Sequence, residues 1–291
     1  MNAGKEWKKM EKMEKYHIEY EKPKVTLLQE SGLGVAEIAA RTCYDSFENS
    51  ENDCVKHAMQ ENTKGSMDTD AINSIENSDL LSNLAWVHHH HSIIEHATLS
   101  FLIEGTSRGV LQEHARHRLQ AISVRSTRYT MSSVINAFVA SLASEEGFNF
   151  FFKTLLPLNL FVISDEDYLQ IEIRAIFDKF LFQYKRNENF LQDAVAKSSL
   201  PFVEEHKNNA QTLFEALQAG KKKRNVGDGF KHIVSDNWKV DMVVTFNIRS
   251  LKNYFDLRDS GAAWFQIQWL AEEMKKVTPL KYLKLIDKNY K

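Results

Sequence analysis

The residues from Glu113 to Tyr129, EHARHRLQAISVRSTRY, concentrate side chains that bind anions. The stretch contains four arginines and two histidines with hydroxyl groups interleaved, and no acidic residue follows Glu113 in it. A guanidinium group binds phosphate or carboxylate in a planar, two-point manner, and hydroxyl groups add neutral donors to the same oxygens. The stretch therefore predicts binding of one or more phosphorylated ligands. On composition alone, a solvated basic face or a nucleic-acid patch explains it equally well.

The spacing of the polar residues within this stretch bears on the choice between these interpretations. The triplet Arg116-His117-Arg118 is followed, after seven intervening residues, by Ser126, and then by Arg128-Tyr129. This pattern resembles the signature of flavin-dependent thymidylate synthases, which make dTMP from dUMP. Further matches extend the resemblance over most of residues 23 to 277.

A second polar concentration is the run HHHHSIIEH that ends at His96. Four consecutive histidines suggest a metal site, but adjacent residues of a regular element point in different directions. A zinc site requires separated ligands with supporting carboxylates, so we expect no metal. The run resembles a family element of histidine, hydroxyl residue and Glu-His. The resemblance implies that Ser92 and Glu95 help to hold the flavin, and that His90 lies near the reacting rings.

The third element is the segment NIRSLKNYFDLR, in which Arg249, Asn253 and Leu257 recur every four residues. This spacing places them on one helix face. Polar groups beside a leucine suit the wall of a binding site for a partly polar, partly aromatic ligand. An asparagine amide offers such a ligand both a donor and an acceptor. An exposed amphipathic helix with unrelated charges is the alternative. The segment resembles the family's C-terminal signature, which implies that Asn247, Arg249, Asn253 and Leu257 contact FAD and that Arg258 contacts dUMP.

Carried over position by position, the resemblance divides the first stretch into flavin and nucleotide residues. The flavin residues there are Arg116, His117 and Arg118. The residues assigned to the nucleotide are Glu113, Ser126, Thr127, Arg128, Lys231 and Arg258. Ser126 also invites interpretation as a nucleophile, because hydroxyls attack when a base activates them, but the sequence places no unique base beside it. Catalysis is assigned to Arg258 and His90.

Several positions depart from the commoner family pattern. Glu113 stands where many members have glutamine, and Val124 occupies a position that is often acidic. Lys231 replaces a usual arginine, which keeps the charge but loses the bidentate fork. A histidine expected shortly after Arg258 is missing, with Gly261 nearest. These departures affect the details of nucleotide binding, and we expect the reaction class to survive them.

The resemblance implies an FAD-dependent thymidylate synthase, a methyltransferase acting on dUMP. It implies 5,10-methylenetetrahydrofolate and NADPH as co-substrates, no covalent enzyme nucleophile, and a homotetramer with sites shared between subunits. The NADPH and folate assignments rest on the resemblance alone, because the sequence has no Gly-rich dinucleotide fingerprint. The alternatives are a nucleic-acid-binding protein that uses residues 114–128, a metal-dependent phosphohydrolase built on the histidines, and a family member that binds flavin without turnover.

Composition restricts the class of protein. The chain has 291 residues, of which 43% are hydrophobic and 26% charged, as in ordinary globular proteins. Its 37 basic and 39 acidic residues give a charge of −2, so no global positive field indicates nucleic acid or a membrane as a partner. The two cysteines form no disulfide framework, and Cys43 is expected to be buried. Without an apolar signal region or a membrane-length apolar run, the protein is predicted to be cytoplasmic.

The pattern of elements predicts an α+β fold, a mixed sheet flanked by long helices within one catalytic domain. Residues 1–22 form a charged N-terminal extension, and residues 23–291 form the catalytic domain. Strands are predicted at 24–29, 97–105 and 238–246. Helices are predicted at 35–44, 79–89, 133–157, 165–185, 201–217, 249–257 and 262–277. The segment 119–127 breaks the helical pattern and is predicted to be an ordered loop.

Overall fold

The computed structural model describes residues 18–58, 67–142, 144–186 and 231–290. These residues form two compact units. The sheet unit contains residues 22–124 and 240–290, and the helical unit contains residues 18–21 and the described residues of 125–239. The predicted helix at 201–217 and most of the 1–22 extension lie outside the described residues. The predicted boundary of the catalytic domain at residue 23 stays a prediction.

The strands of the sheet unit are β1 (Lys24–Glu30), β2 (Thr98–Ser107), β3 (Gln120–Val124) and β4 (Lys239–Asn247), in the order β1-β2-β4-β3. The β1–β2 and β3–β4 pairs are antiparallel. The hydroxyls of Ser100 and Thr245 lie 2.8 Å apart, and the Gly105 amide donates to Asp241 at 2.9 Å, so β2 and β4 also run in opposite directions. The α+β class is confirmed. The strand directions differ from the predicted mixed sheet, because the sequence pattern does not reveal which strands become neighbours.

The helices follow in chain order. They are α1 (Gly34–Tyr44), α2 (Asp53–Lys56), α3 (Thr69–Asn73), α4 (Asp79–Trp86), α5 (Arg108–His114), α6 (Thr127–Leu142), α7 (Phe148–Leu155), α8 (Glu166–Arg186), α9 (Ile248–Arg258), α10 (Phe265–Val277) and α11 (Leu280–Ile286). Short 3₁₀ turns occur at Phe47–Asn49, Ile93–His96, Leu156–Leu158 and Lys288–Tyr290.

The core of the sheet unit follows from strand alternation. Buried side chains alternate with less buried ones along β2 at Leu99, Phe101 and Ile103, and along β4 at Val244 and Phe246. Successive strand residues point to opposite faces, so these side chains form one apolar surface, which packs with the buried side chains of α9 and α10. Burial of each large apolar side chain stabilises the fold by about 1.5–3 kcal/mol. The junction between β4 and α9 therefore rests on a tightly packed support.

The helical unit has its own aromatic core. Phe138 of α6 stacks on Phe180 of α8 with ring centroids 5.1 Å apart, and it meets Phe177 edge-on at 5.6 Å. Trp238 is buried against Phe161 at 5.5 Å, where the two residues also form a β-bridge. The predicted helix at 133–157 is two helices, α6 and α7, with Gly147 at positive φ before the second.

Two local predictions were wrong, and one short helix was not predicted. The predicted loop at 119–127 contains β3, whose residues are half-buried or exposed, so the strand has no buried face to produce a strong alternation. The short helix α11, which begins directly after Pro279, was not predicted, although proline is compatible with the start of a helix. Cys43, expected to be buried, is exposed near the end of α1.

Candidate active site

The β4–α9 junction positions the third predicted motif. The Asn247 side chain caps α9 by accepting a hydrogen bond from the Ser250 amide at 2.7 Å. The next backbone amide, that of Ile248, donates to the Ala97 carbonyl beside β2 at 2.9 Å. Because both ends of this turn are fixed, the direction in which α9 leaves the sheet is fixed as well. The capping bond uses one lone pair of the Asn247 oxygen and leaves the amide NH₂ as a donor for the predicted FAD contact.

One face of α9 is exposed and carries Arg249, Asn253 and Leu257. The opposite face is buried through Ile248, Leu251, Tyr254 and Phe255. The shared face predicted from the four-residue spacing is therefore present. Leu257 is 53% exposed, so its apolar side chain is accessible to an aromatic ligand. The contact of this face with FAD stays a prediction.

An ion pair joins two of the predicted flavin residues. Arg249 Nη1 bonds Glu95 Oε1, and the two side chains are 53% and 41% exposed. Glu95 belongs to the 3₁₀ turn Ile93–His96, which packs on α9, and Ser92 precedes that turn with its side chain exposed. The histidine motif and the C-terminal motif therefore meet on one surface of the sheet unit.

Tyr44, which the sequence pattern did not single out, fixes His90. The Tyr44 hydroxyl lies 2.9 Å from His90 Nδ1, and the His90 amide donates to the Leu84 carbonyl at 2.8 Å. Because Nδ1 is engaged, Nε2 is the ring atom available for another partner. Tyr44 ends α1 close to the histidine run only in the folded chain, since 46 residues separate it from His90.

The remaining histidines of the run make local contacts. His91 Nε2 lies 2.9 Å from the Ala85 carbonyl, and the His89 and His91 rings meet edge-on at 5.8 Å. Across the described ranges, no group of three or more histidine, cysteine or acidic residues is arranged to hold a metal ion.

Arg258 connects the first and third motifs. Its Nη1 donates to Glu113 Oε2 at 2.8 Å, its Nη2 donates to the Glu113 carbonyl at 3.2 Å, and its Nε donates to His117 Nε2 at 2.9 Å. These bonds use three of the five guanidinium N–H groups, which leaves one on each terminal nitrogen. The Arg258 side chain is only 18% exposed, so its orientation is restricted. The two remaining N–H groups therefore belong to a guanidinium of restricted orientation.

Two neutral histidines surround this arginine. Burial lowers the pKa of His114 to about 3, and the nearby His117 and Arg258 contribute to the effect. Burial and the Arg258 charge lower the pKa of His117 to about 4. A neutral His117 can accept the Arg258 Nε–H bond, whereas an imidazolium has no acceptor. Glu113 is therefore the charged partner of Arg258 in this cluster, which explains how an acid is tolerated where many members have glutamine.

The chain just beyond Arg258 is anchored by a partly buried ion cluster. Lys275 donates to Asp259 at 2.5 Å and to Asp287 at 2.7 Å. These contacts raise the pKa of Lys275 against the opposing effect of burial, which is the largest single cause, and lower that of Asp287. Gly261, nearest to the missing histidine, adopts φ +73°, a conformation that favours glycine.

The other predicted residues fall into two groups. Arg116 and Arg118 follow α5 with exposed side chains, and neither forms an ion pair within the described part of the chain. Ser126, Thr127, Arg128 and Lys231 belong to the helical unit, where Thr127 is buried at the start of α6. Their predicted role in binding the nucleotide beside Arg258 stays a prediction.

Acidification is expected to destabilise the sheet unit through His114. In the unfolded chain the His114 imidazole has a pKa of about 6.5, whereas in the folded chain its pKa is about 3. Because the unfolded state then binds more protons, the free energy of unfolding falls as the pH drops below 6.5. From about pH 7 to about pH 5 the loss from His114 is about 2 kcal/mol. His117 acts in the same direction, with a smaller share because it is half-exposed. Urea unfolding at both pH values measures this loss, and His114→Phe should remove the His114 share. An equal loss in that variant contradicts the assignment.

The fold is α+β, and the Arg258 cluster joins the first and third sequence motifs. A family model described as "Thymidylate synthase complementing protein" matches residues 26–280. The chain belongs to the flavin-dependent thymidylate synthase family. No helix among the described residues is long and apolar enough to span a membrane.

Named relatives resemble this chain along most of its length. The flavin-dependent thymidylate synthase of Wolinella succinogenes is 27% identical over 255 residues, which is 88% of this chain and 93% of the relative. That of Helicobacter pylori (strain J99) is 28% identical over 258 residues, with the same shares covered. A crystal structure of thymidylate synthase X from Helicobacter pylori with FAD and dUMP has a TM-score of 0.55 at 22% identity, covering 92% of this chain and 99% of that one. This structural likeness shows the shared fold.

Proposed function

We propose that this protein is an FAD-dependent thymidylate synthase that converts dUMP to dTMP. The observation that carries the proposal is Arg258, whose bonds to His117 and Glu113 bring the Arg-His-Arg motif against the end of α9. The exposed face of that same helix carries the residues predicted to contact the flavin. Family membership over residues 26–280 supports the reaction class.

The residues present fit FAD. Arg116 and Arg118 offer exposed guanidinium groups to a diphosphate, while Leu257 and Asn253 offer an apolar surface and an amide to a ring system. The Glu95–Arg249 pair and the exposed Ser92 lie on the same unit. When bound, FAD supplies the redox chemistry, and the protein supplies orientation and charge.

Arg258 is proposed to act on the nucleotide. Its two remaining N–H groups suit two acceptors on one edge of a pyrimidine. Because these donors are oriented before the ligand arrives, they stabilise negative charge that develops on the ring during reaction, as in an oxyanion hole. Holding both reactants in register contributes about 7–11 kcal/mol to lowering the barrier in favourable cases.

Further residues are proposed to complete the site. The nucleotide is proposed to be bound by Ser126, Thr127, Arg128 and Lys231, with the phosphate held by Ser126 and Arg128. His90, held by Tyr44, is proposed to lie near the reacting rings.

The finer assignments complete the proposal. The one-carbon unit comes from 5,10-methylenetetrahydrofolate and the reducing equivalents from NADPH, with no covalent enzyme nucleophile. We propose a cytoplasmic homotetramer in which subunits share the sites. These assignments are supported by the family to which the chain belongs; sedimentation and product analysis test the assembly and the co-substrates.

The absorbance spectrum of the purified full chain tests the proposed function. After reconstitution with FAD, we expect a flavin band that dUMP perturbs and that NADPH bleaches without oxygen, with dTMP formed when the folate is added. A protein that cannot be reconstituted with FAD, or salt-sensitive polynucleotide binding in its place, contradicts the proposal. Bound FAD that dUMP perturbs, without dTMP formation under any condition, indicates a family member that has lost turnover.

A further inference from the structure

A buried polar pair lies directly beneath the Arg258 cluster. His114, at the end of α5, and Tyr254, one turn before Arg258 on α9, are both 0% exposed. His114 Nδ1 lies 3.2 Å from the Tyr254 hydroxyl, and their rings meet at 5.1 Å. Two phenylalanines of similar shape would fill this volume without any hydrogen-bonding requirement, and such replacements of both partners are often nearly neutral for stability. The hydrogen bond between His114 and Tyr254, unlike apolar packing, fixes how the two rings are oriented relative to each other.

We propose that His114 is a positioning residue, which fixes Tyr254 and His117 and so aims the Arg258 guanidinium at the pyrimidine. The inference rests on the proposed function and deepens it by adding the buried residues that orient the nucleotide-binding arginine.

The contacts form a continuous path to the arginine. The Tyr254 ring meets the His117 ring edge-on with centroids 4.7 Å apart, and His117 Nε2 then accepts the Arg258 Nε–H bond at 2.9 Å. A second link runs along the chain, because Gln120 Nε2 donates to the His114 carbonyl at 3.0 Å and closes the 114–120 turn that contains His117. His117 is therefore held by its own loop and by the Tyr254 ring.

The protonation states agree with this geometry. Burial raises the pKa of Tyr254 well above its ordinary value, so its hydroxyl keeps its proton. This hydroxyl and the neutral His114 ring make a hydrogen bond without charge. To accept from Arg258, His117 must be neutral with its proton on Nδ1. Loss of the bond beneath it is expected to let the His117 ring reorient and Arg258 lose its Nε acceptor.

The test uses Tyr254→Phe, His114→Phe and the double variant, each in the full chain with FAD bound. Tyr254→Phe keeps the ring and removes one oxygen, so it tests the same hydrogen bond if His114→Phe folds poorly. We expect each single variant to raise the dUMP dissociation constant about tenfold, the effect of about one hydrogen bond. FAD content should fall less than dUMP affinity, because the proposed diphosphate residues Arg116 and Arg118 are not altered. Because both residues act through one link, the double variant should resemble the single variants rather than their product.

The same substitutions in an Arg258→Gln background separate positioning from packing. If His114 acts through Arg258, His114→Phe adds no further loss of dUMP affinity there. The inference is overturned if the variants lower the melting temperature but leave dUMP affinity unchanged, or if the tenfold loss persists in the Arg258→Gln background. Failure of the native protein to bind dUMP overturns the proposed function instead.

A measurement on the dUMP-free protein tests the geometry independently of the proposed function. In protein with ¹⁵N-labelled histidine, the His117 ring, assigned through His117→Gln, should show a protonated Nδ1 and an accepting Nε2. We expect the two neutral tautomers to mix in His114→Phe and Tyr254→Phe. An unchanged His117 spectrum in both variants overturns the positioning role.

Discussion

Arg258→Gln is expected to raise the dUMP dissociation constant by about a hundredfold, which corresponds to about 3 kcal/mol. The side chain is 18% exposed and already oriented by Glu113 and His117, so ligand binding requires little further ordering. Glutamine loses the charge and the two remaining guanidinium donors, and it leaves Glu113 without its ion-pair partner beside the ligand. Turnover is expected to fall by a further factor of about 10²–10³, because stabilisation of charge on the ring is lost.

Calorimetric titration with dUMP and single-turnover dTMP formation measure the two effects. Arg174→Gln is the matched control, since Arg174 forms an exposed ion pair with Asp178 on α8 at 3.2 Å. That variant should bind dUMP as the native protein does. Native affinity and turnover in Arg258→Gln would remove Arg258 from the site and withdraw the observation on which the proposed function depends.

The double substitution Arg116→Ala with Arg118→Ala is expected to abolish retention of FAD during purification. Each hydrogen bond to a charged group contributes about 1.5–3 kcal/mol, so loss of both weakens FAD binding by about 10²–10⁴-fold. Both side chains are exposed and lie outside the packed core, so the fold should survive. The pair Arg116→Lys with Arg118→Lys should give an intermediate loss, because lysine keeps the charge without the planar fork.

Flavin absorbance per protein, followed by FAD titration of the apoprotein, measures this loss. The control is Lys153→Ala with Lys276→Ala, which removes two exposed cations paired with Glu146 and Glu273 elsewhere in the chain. FAD retained equally by the double alanine and control variants would show that these arginines do not bind the diphosphate. A decrease in both would indicate only a general effect of net charge.

Local chemistry made the motifs recognisable in the sequence. Arg116-His117-Arg118 and the four-residue repeat through Arg249, Asn253 and Leu257 are matters of spacing along the chain, and helix geometry converts that spacing into a shared face. The α+β class also followed from pattern, because β2 and β4 bury alternate residues and so alternate in hydrophobicity. β3 lacks a buried face, and the pattern did not reveal it.

His114 and Tyr254 could have been noticed from their positions, since they precede His117 and Arg258 by three and four residues. Spacing alone does not distinguish such a pair from ordinary core residues. Their contact depends on the packing of α5 and α9, which are 140 residues apart at this point. The same limit applies to Tyr44 and His90, which lie 46 residues apart and meet only in the folded chain.

The sequence by itself determined which groups are available: guanidiniums, imidazoles and amides at spacings that match the flavin-dependent thymidylate synthase family. Only the tertiary structure decided how they are used. It paired Arg258 with Glu113 and His117, kept two histidines neutral by burial, and left two donors of one arginine available. The physical reason is that hydrogen bonds and desolvation depend on distances of a few ångströms between residues far apart in the chain, and a residue pattern encodes such distances only through the complete fold.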